Sequence, residues 1–150
     1  LTHGGFYAHF ASRDALLVEA IERAGRDGAR ALDAAINRHR ARGLCEFAAL
    51  LLAYLSEGHV QNPERGCVVA ALSSETARQS EPVKEALRAR VQALIARVEE
   101  ALPAGAEVDE APVIAATMVG ALQLARTLGG KAGRDLLAAT RRSLLARHDG

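Results

Sequence analysis

Residues 2–16 read THGGFYAHFASRDAL. Two adjacent glycines, each costing about 1 kcal/mol against alanine inside a helix, precede an aromatic pair, and a Ser-Arg-Asp cluster then opens a long Ala- and Leu-rich stretch. With Thr2 as an N-cap, Phe6 and Phe10 fall four residues apart on one face and anchor a short helix to a core. His3 and Tyr7, turned by about 100° from that face, point away from it. Gly4 and Gly5 occupy the first turn, where the missing side chains let backbone come close to another surface. Ser12 caps the next helix, and Arg13 adds a cation beside the free N–H groups at its start, an arrangement suited to phosphate.

Working outward, that helix is expected to run from Arg13 through ALLVEAIERAGRDGARALDAAINRHRAR to Gly43, with Asp14 favoured by the dipole of its first turn. Gly25 and Gly28 weaken its middle and mark where it would flex. Leu44, Phe47, Ala48, Leu51, Leu52 and Leu55 follow an i, i+3, i+4 pattern, which predicts an amphipathic helix seated on a core. The polar run GHVQNPERG is a break, and CVVAALSSETARQ reads as a short, mostly buried helix. Ser80 caps another helix, with Glu81 and Pro82 at its first positions and Val83, Leu87, Val91, Leu94, Ile95, Val98 and Leu102 on one face. The stretch from Asp109 to Leu128 is apolar nearly all round, so burial on more than one side is expected. Beyond Gly129 and Gly130 a last helix carries Leu136, Leu137, Thr140, Leu144 and Leu145 on one face. This predicts one short N-terminal helix and six longer ones, without a strand or an internal repeat.

Composition agrees. The chain has 150 residues, of which 49% are apolar and 3% aromatic, enough for one all-α domain with its own core. Its 19 basic and 18 acidic residues nearly cancel, so no whole-chain field draws it to nucleic acid or membrane and any such contact is local. No run approaches the roughly 18 uninterrupted apolar residues of a membrane span, and no signal-peptide pattern opens the chain. A cytoplasmic protein without a membrane partner is the expectation. Cys45 and Cys67 are expected as reduced thiols, and the Ala and Arg usage suits a GC-rich bacterial genome.

Thr2, Gly4, Phe6, Tyr7, His9, Phe10, Ser12, Arg13 and Leu16 together resemble the end of the DNA-binding region of TetR-family transcriptional regulators. There a short recognition helix ends in an aromatic-rich Tyr-x-His-Phe or similar string, followed by Ser-Lys-x-x-Leu opening the next helix. Arg13 stands where lysine is usual and keeps the charge. The resemblance implies an all-α, TetR-like helical bundle in which residues 1–12 are the remnant of a helix-turn-helix and residues 13–150 bind ligand and dimerise. It also implies a ligand-responsive repressor, with Thr2, His3, Gly4, Gly5, Tyr7 and His9 approaching bases and phosphates and Arg13 holding a phosphate. The family's first two helices do not appear among these 150 residues. The chain alone is therefore expected to bind operator DNA poorly, and the longer protein to bind as a homodimer. The other reading is a helical ligand-binding or interaction module without DNA-binding activity.

For a small-molecule effector, Phe47, Leu51, Tyr54, Leu55, His59, Val68, Leu72, Leu94 and Val98 are expected to line an apolar cavity, with Tyr54 and His59 as polar handles; equally, they are plain core. Cys67 follows a loop, starts a helix and comes two residues after Arg65, a setting that lowers a thiol's pKa. The string RGCVVAALSSETAR also resembles the region of TetR-type regulators that sense electrophiles or oxidants through a cysteine after glycine. Against this stands Cys67 as a small buried hydrophobe. Cys45 is expected in the core. His39, among Arg38, Arg40 and Arg42, is read as part of a solvated basic helix end.

The histidines show no metal-ligand spacing, so neither metal nor cofactor is expected. No Ser/His/Asp spacing, phosphate loop or paired carboxylates suggest an enzyme. Small residues between Pro112 and Leu128, with Leu136, Leu144 and Leu145 of the last helix, have the composition of a two-fold, four-helix interface.

Overall fold

A computed structural model describes residues 10–107 and 109–147. Seven α-helices and two 3₁₀ turns account for most of them, with no strand among the described residues. The stretch from Thr2 to His9, including the predicted recognition helix, lies outside them.

Helix α1 (Arg13–Arg40) starts as expected: the Ser12 hydroxyl accepts the Ala15 N–H at 3.0 Å, and Asp14 sits in the first turn. It ends in a turn closed by Gly43 at φ 88°, a left-handed conformation that favours glycine. Along this rod only Ile21 and Ile36 are fully buried. They belong to different places: Ile21 packs with Val68, Val83 and Leu87, whereas Ile36 enters the main core.

Helix α2 (Glu46–Tyr54) departs from the amphipathic reading. Phe47, Ala49, Leu50, Leu51, Ala53 and Tyr54 are all buried, so almost its whole circumference is apolar surface removed from water. The reason is position, since α2 touches α1, α5 (Glu81–Ala101) and α7 (Gly130–Leu145). The expected break at GHVQNPERG contains α3 (Glu57–Gln61), capped by the Ser56 hydroxyl, and a 3₁₀ turn over Pro63–Arg65. The predicted short helix after it holds only as α4 (Val68–Leu72). From Ser73 the chain tightens into a second 3₁₀ turn (Ser73–Arg78), where the Ser73 hydroxyl bonds back to the Val69 carbonyl at 2.7 Å.

On α5, Val83, Leu87, Val98 and Ala101 are buried as expected, while Val91 is exposed. Helix α6 (Glu110–Leu128) packs Ala111, Ile114, Ala115, Met118, Ala121, Leu122 and Ala125 inward against α5 and α7. By length and composition it could cross a membrane, yet this inner face belongs to the core. Burial on more than one side does not hold within the chain: Val113, Leu124 and Leu128 are 58%, 57% and 57% exposed. Of the predicted interface leucines on α7, Leu144 is buried in the core, while Leu136 and Leu145 pack against it and keep part of their surface exposed. Gly129 and Gly130, both at positive φ, make the tight α6–α7 corner.

Candidate functional site

Between α1, the end of α2, the α3–α4 segment and α5 lies a cavity of about 480 Å³, within the usual range for small-molecule pockets. Of the residues expected to line it, Tyr54, His59, Val68 and Leu94 do, and so does Cys67. Phe47, Leu51, Leu55 and Val98 do not; they are 3%, 0%, 0% and 0% exposed and fill the core around α2. Leu72 packs instead against the smaller cluster around Ile21. The period of these apolar residues is the same whether the space beside them is filled or empty, so spacing alone did not separate the two groups.

His59 organises one end of the cavity. Its backbone N–H is capped by Ser56, its Nδ1 lies 2.7 Å from the Tyr54 carbonyl, and its Nε2 is 3.0 Å from the Cys67 amide nitrogen. The Cys67 N–H can only donate, so Nε2 accepts and the ring proton sits on Nδ1, donating to Tyr54. The imidazole is thus held neutral and bridges the end of α2 to the start of α4. Burial, opposed in part by the Tyr54 carbonyl, pushes its pKa below the ordinary value, and nearby Arg126 acts in the same direction as burial. The ring also meets the Tyr54 ring edge-on, centroids 4.7 Å apart. From α6, Arg126 donates to the His59 carbonyl at 2.9 Å, and the Gln123 amide donates to the Ala70 carbonyl.

Glycine is required here by close approach. A Cβ on Gly66 would fall 2.7 Å from the His59 ring, and one on Gly28 would fall 2.8 Å from the Gly66 carbonyl oxygen. At Gly25 a Cβ would meet only the flexible Arg90 side chain, so glycine marks a contact there without being required. The two mid-helix glycines expected to mark a flexing point are therefore contact points within an unbroken α1.

Tyr54 is 1% exposed, and its hydroxyl has no hydrogen-bond partner of ordinary geometry. Burial first, then the neighbouring Cys67 thiol, raise its pKa and keep it protonated, against a smaller opposing effect of Arg126. Cys67 is half-buried and free, sitting as the N-cap of α4. Cys45 is also free but exposed, contrary to expectation: it is the N-cap of α2, one residue outside the buried helix.

Arginines form the part of the lining that sequence reasoning missed. Arg38 from α1, Arg65 from the first 3₁₀ turn, and Arg90 and Arg97 from α5 all line the cavity, and no Asp or Glu does among the described residues. Arg90, Leu94 and Arg97 are spaced i, i+4, i+7, as are Ala31, Ala35 and Arg38, so each set shares a helix face. That mixed basic and apolar spacing was the available signal. The predicted basic helix end is in part a cavity wall: Arg38 lines it, whereas Arg40 pairs with Glu46 at 3.0 Å.

Of the predicted DNA-contacting residues, only Arg13 is described; it is exposed at the first position of α1. Thr2, His3, Gly4, Gly5, Tyr7 and His9 lie outside the described residues. No family model and no curated protein matches the chain.

Proposed function

We propose that this chain is the ligand-binding and dimerisation part of a TetR-like transcriptional repressor, which holds operator DNA as a homodimer and releases it when a small molecule or an electrophile enters the cavity. One observation carries the reading. Helix α1 begins at Ser12 and Arg13, the end of the stretch that resembles the family's DNA-reading region, and the same unbroken helix supplies Gly25 to Arg38 along the cavity wall.

At 1.5 Å per residue, its 28 residues form a lever of about 42 Å. Successive major-groove half-sites lie about 34–36 Å apart, so a small pivot of each lever would break the match at both. The dimer is supported by the outer face of α6, where exposed Val113, Leu124 and Leu128 flank Gly120, which has open space around it. The inner side of that helix reaches the cavity through Arg126, which links the two regions.

Selection of duplex DNA from a randomised pool, using the protein expressed from its whole gene, tests the proposal. Enrichment of an inverted repeat is expected. A pool that stays unenriched, from a folded dimeric protein, would sink it in favour of a ligand-binding module without a DNA role.

A further inference from the structure

We infer that the cavity recognises a monoanionic amphiphile, an acyl or aromatic carboxylate with an apolar body. This rests on the reading of the cavity as the effector site. The floor is apolar, made by Leu32, Val68, Val69, Leu94 and the Tyr54 ring. The walls are basic, with four arginines and no carboxylate among the described lining residues.

Those arginines are not equivalent. Arg97 is already held by Asp33 at 2.9 Å and Glu46 at 3.5 Å. Arg38, Arg65 and Arg90 have no ion pair among the described residues, unlike most charged side chains along α1 and α5, which pair within or between their helices. Arg38 and Arg65 are exposed, whereas Arg90 is half-buried across Gly25. One turn along α5 from Arg90, Leu94 brings the floor next to that cation. A single unpaired and partly desolvated guanidinium beside an apolar floor matches a single planar anion on an apolar chain, which it can grip with two parallel hydrogen bonds. The exposed pair adds attraction at the mouth. His59, held neutral by its two hydrogen bonds, adds no second buried charge that would call for a dianion.

The test is calorimetric titration of the chain with decanoate, decanol and decyltrimethylammonium, each below its aggregation concentration, at 50 and 500 mM salt. Decanoate is expected to bind at least tenfold more tightly than decanol, with salt weakening decanoate alone. In Arg90→Gln the preference for decanoate is expected to collapse while decanol binding stays within about twofold. Ala31→Trp, which adds a ring from an exposed wall position without touching the core, is expected to abolish binding of both; far-ultraviolet circular dichroism confirms that each variant is folded. Equal affinity for decanoate and decanol, preference for the cation, failure of all three probes to bind, or binding undiminished by Ala31→Trp would each overturn the inference. Failure of the regulatory reading looks different: decanoate binds with these properties, yet leaves DNA occupancy of the protein expressed from its whole gene unchanged.

Discussion

The α6–α7 pair and the α1–α5 pair solve opposite packing problems with the same residue types. At the first, Gly133 brings α7 so close to α6 that a Cβ would stand 2.5 Å from the Ala125 carbonyl oxygen, and small residues seal the crossing. At the second, glycines again permit close contacts, but arginines and the α3–α4 segment with its single 3₁₀ turn occupy the space between the helices, and a cavity remains. Apolar residues at helical spacing therefore do not by themselves make a filled core. What lies between the helices decides whether the space closes.

The sharpest way to break this comparison is to truncate one leucine from each environment. Leu51 of α2, fully buried in the filled core it shares with Leu122 of α6 and Leu137 of α7, is expected to cost about 3 kcal/mol as Leu51→Ala. For a protein of this size that lowers the melting temperature by about 10 °C. Leu94→Ala, from the cavity wall, should cost about 1 kcal/mol because its side chain is only partly buried, and it should weaken ligand binding where Leu51→Ala does not. Equal losses would mean that the cavity collapses in solution.

Next come the two glycines. Gly133→Ala drives a methyl into backbone between two long helices, neither of which can shift alone, and is expected to cost about 2 kcal/mol in urea unfolding despite the better helix propensity of alanine. Gly28→Ala meets the carbonyl of Gly66, which ends a three-residue 3₁₀ turn with no buried residue; about 1 kcal/mol is expected. A larger loss at Gly28 would make the α1–turn contact as rigid as the α6–α7 one.

A smaller effect on folding is expected at the outer face of α6. Leu124→Glu places a charge where the side chain is already 57% exposed, so chain stability should change by no more than about 0.5 kcal/mol. In sedimentation velocity, however, the same change should convert a dimer to a monomer. A wild-type chain that sediments as a monomer at micromolar concentration removes the α6 interface altogether.

Much of the fold was legible in the sequence because helix ends carry local chemistry. Ser12 with Asp14, Pro82 in the first turn after Ser80, and the Gly129-Gly130 pair mark three boundaries without tertiary context, although the Ser80 hydroxyl, unlike that of Ser12, makes no capping bond. The site was only half legible. Tyr54, His59 and Cys67 stood out as polar or reactive groups among apolar neighbours, and the fold does bring them together. Arg90 and Arg97 did not stand out, since arginine on a helix is ordinarily a solvated residue. Only the approach of α1 over Gly25 turns Arg90 into wall. Leu51 and Leu94 illustrate the remaining limit: both satisfy the same periodic pattern, and the difference between them is a void, which no residue type encodes.

His59 offers a measurement confined to the cavity end. Its folded pKa lies below the ordinary value because burial disfavours the charged ring, whereas in the unfolded chain it titrates at about 6.5. Between the two values the unfolded chain binds more protons, so stability is complete above about 6.5 and falls as the pH drops through that window. The proton would have to enter at Nε2, the atom that accepts the Cys67 N–H, so protonation also uncaps α4. His59→Asn keeps a donor for the Tyr54 carbonyl and carries no titrating group. Relative to wild type it should lose some stability at pH 7.5, where the Cys67 N–H is left without its acceptor, and lose the acid-side slope between pH 6.5 and 5. Urea midpoints at four pH values read both effects. A wild-type slope that survives in His59→Asn would assign the acid sensitivity to other groups and leave the imidazole as a spacer between α2 and α4.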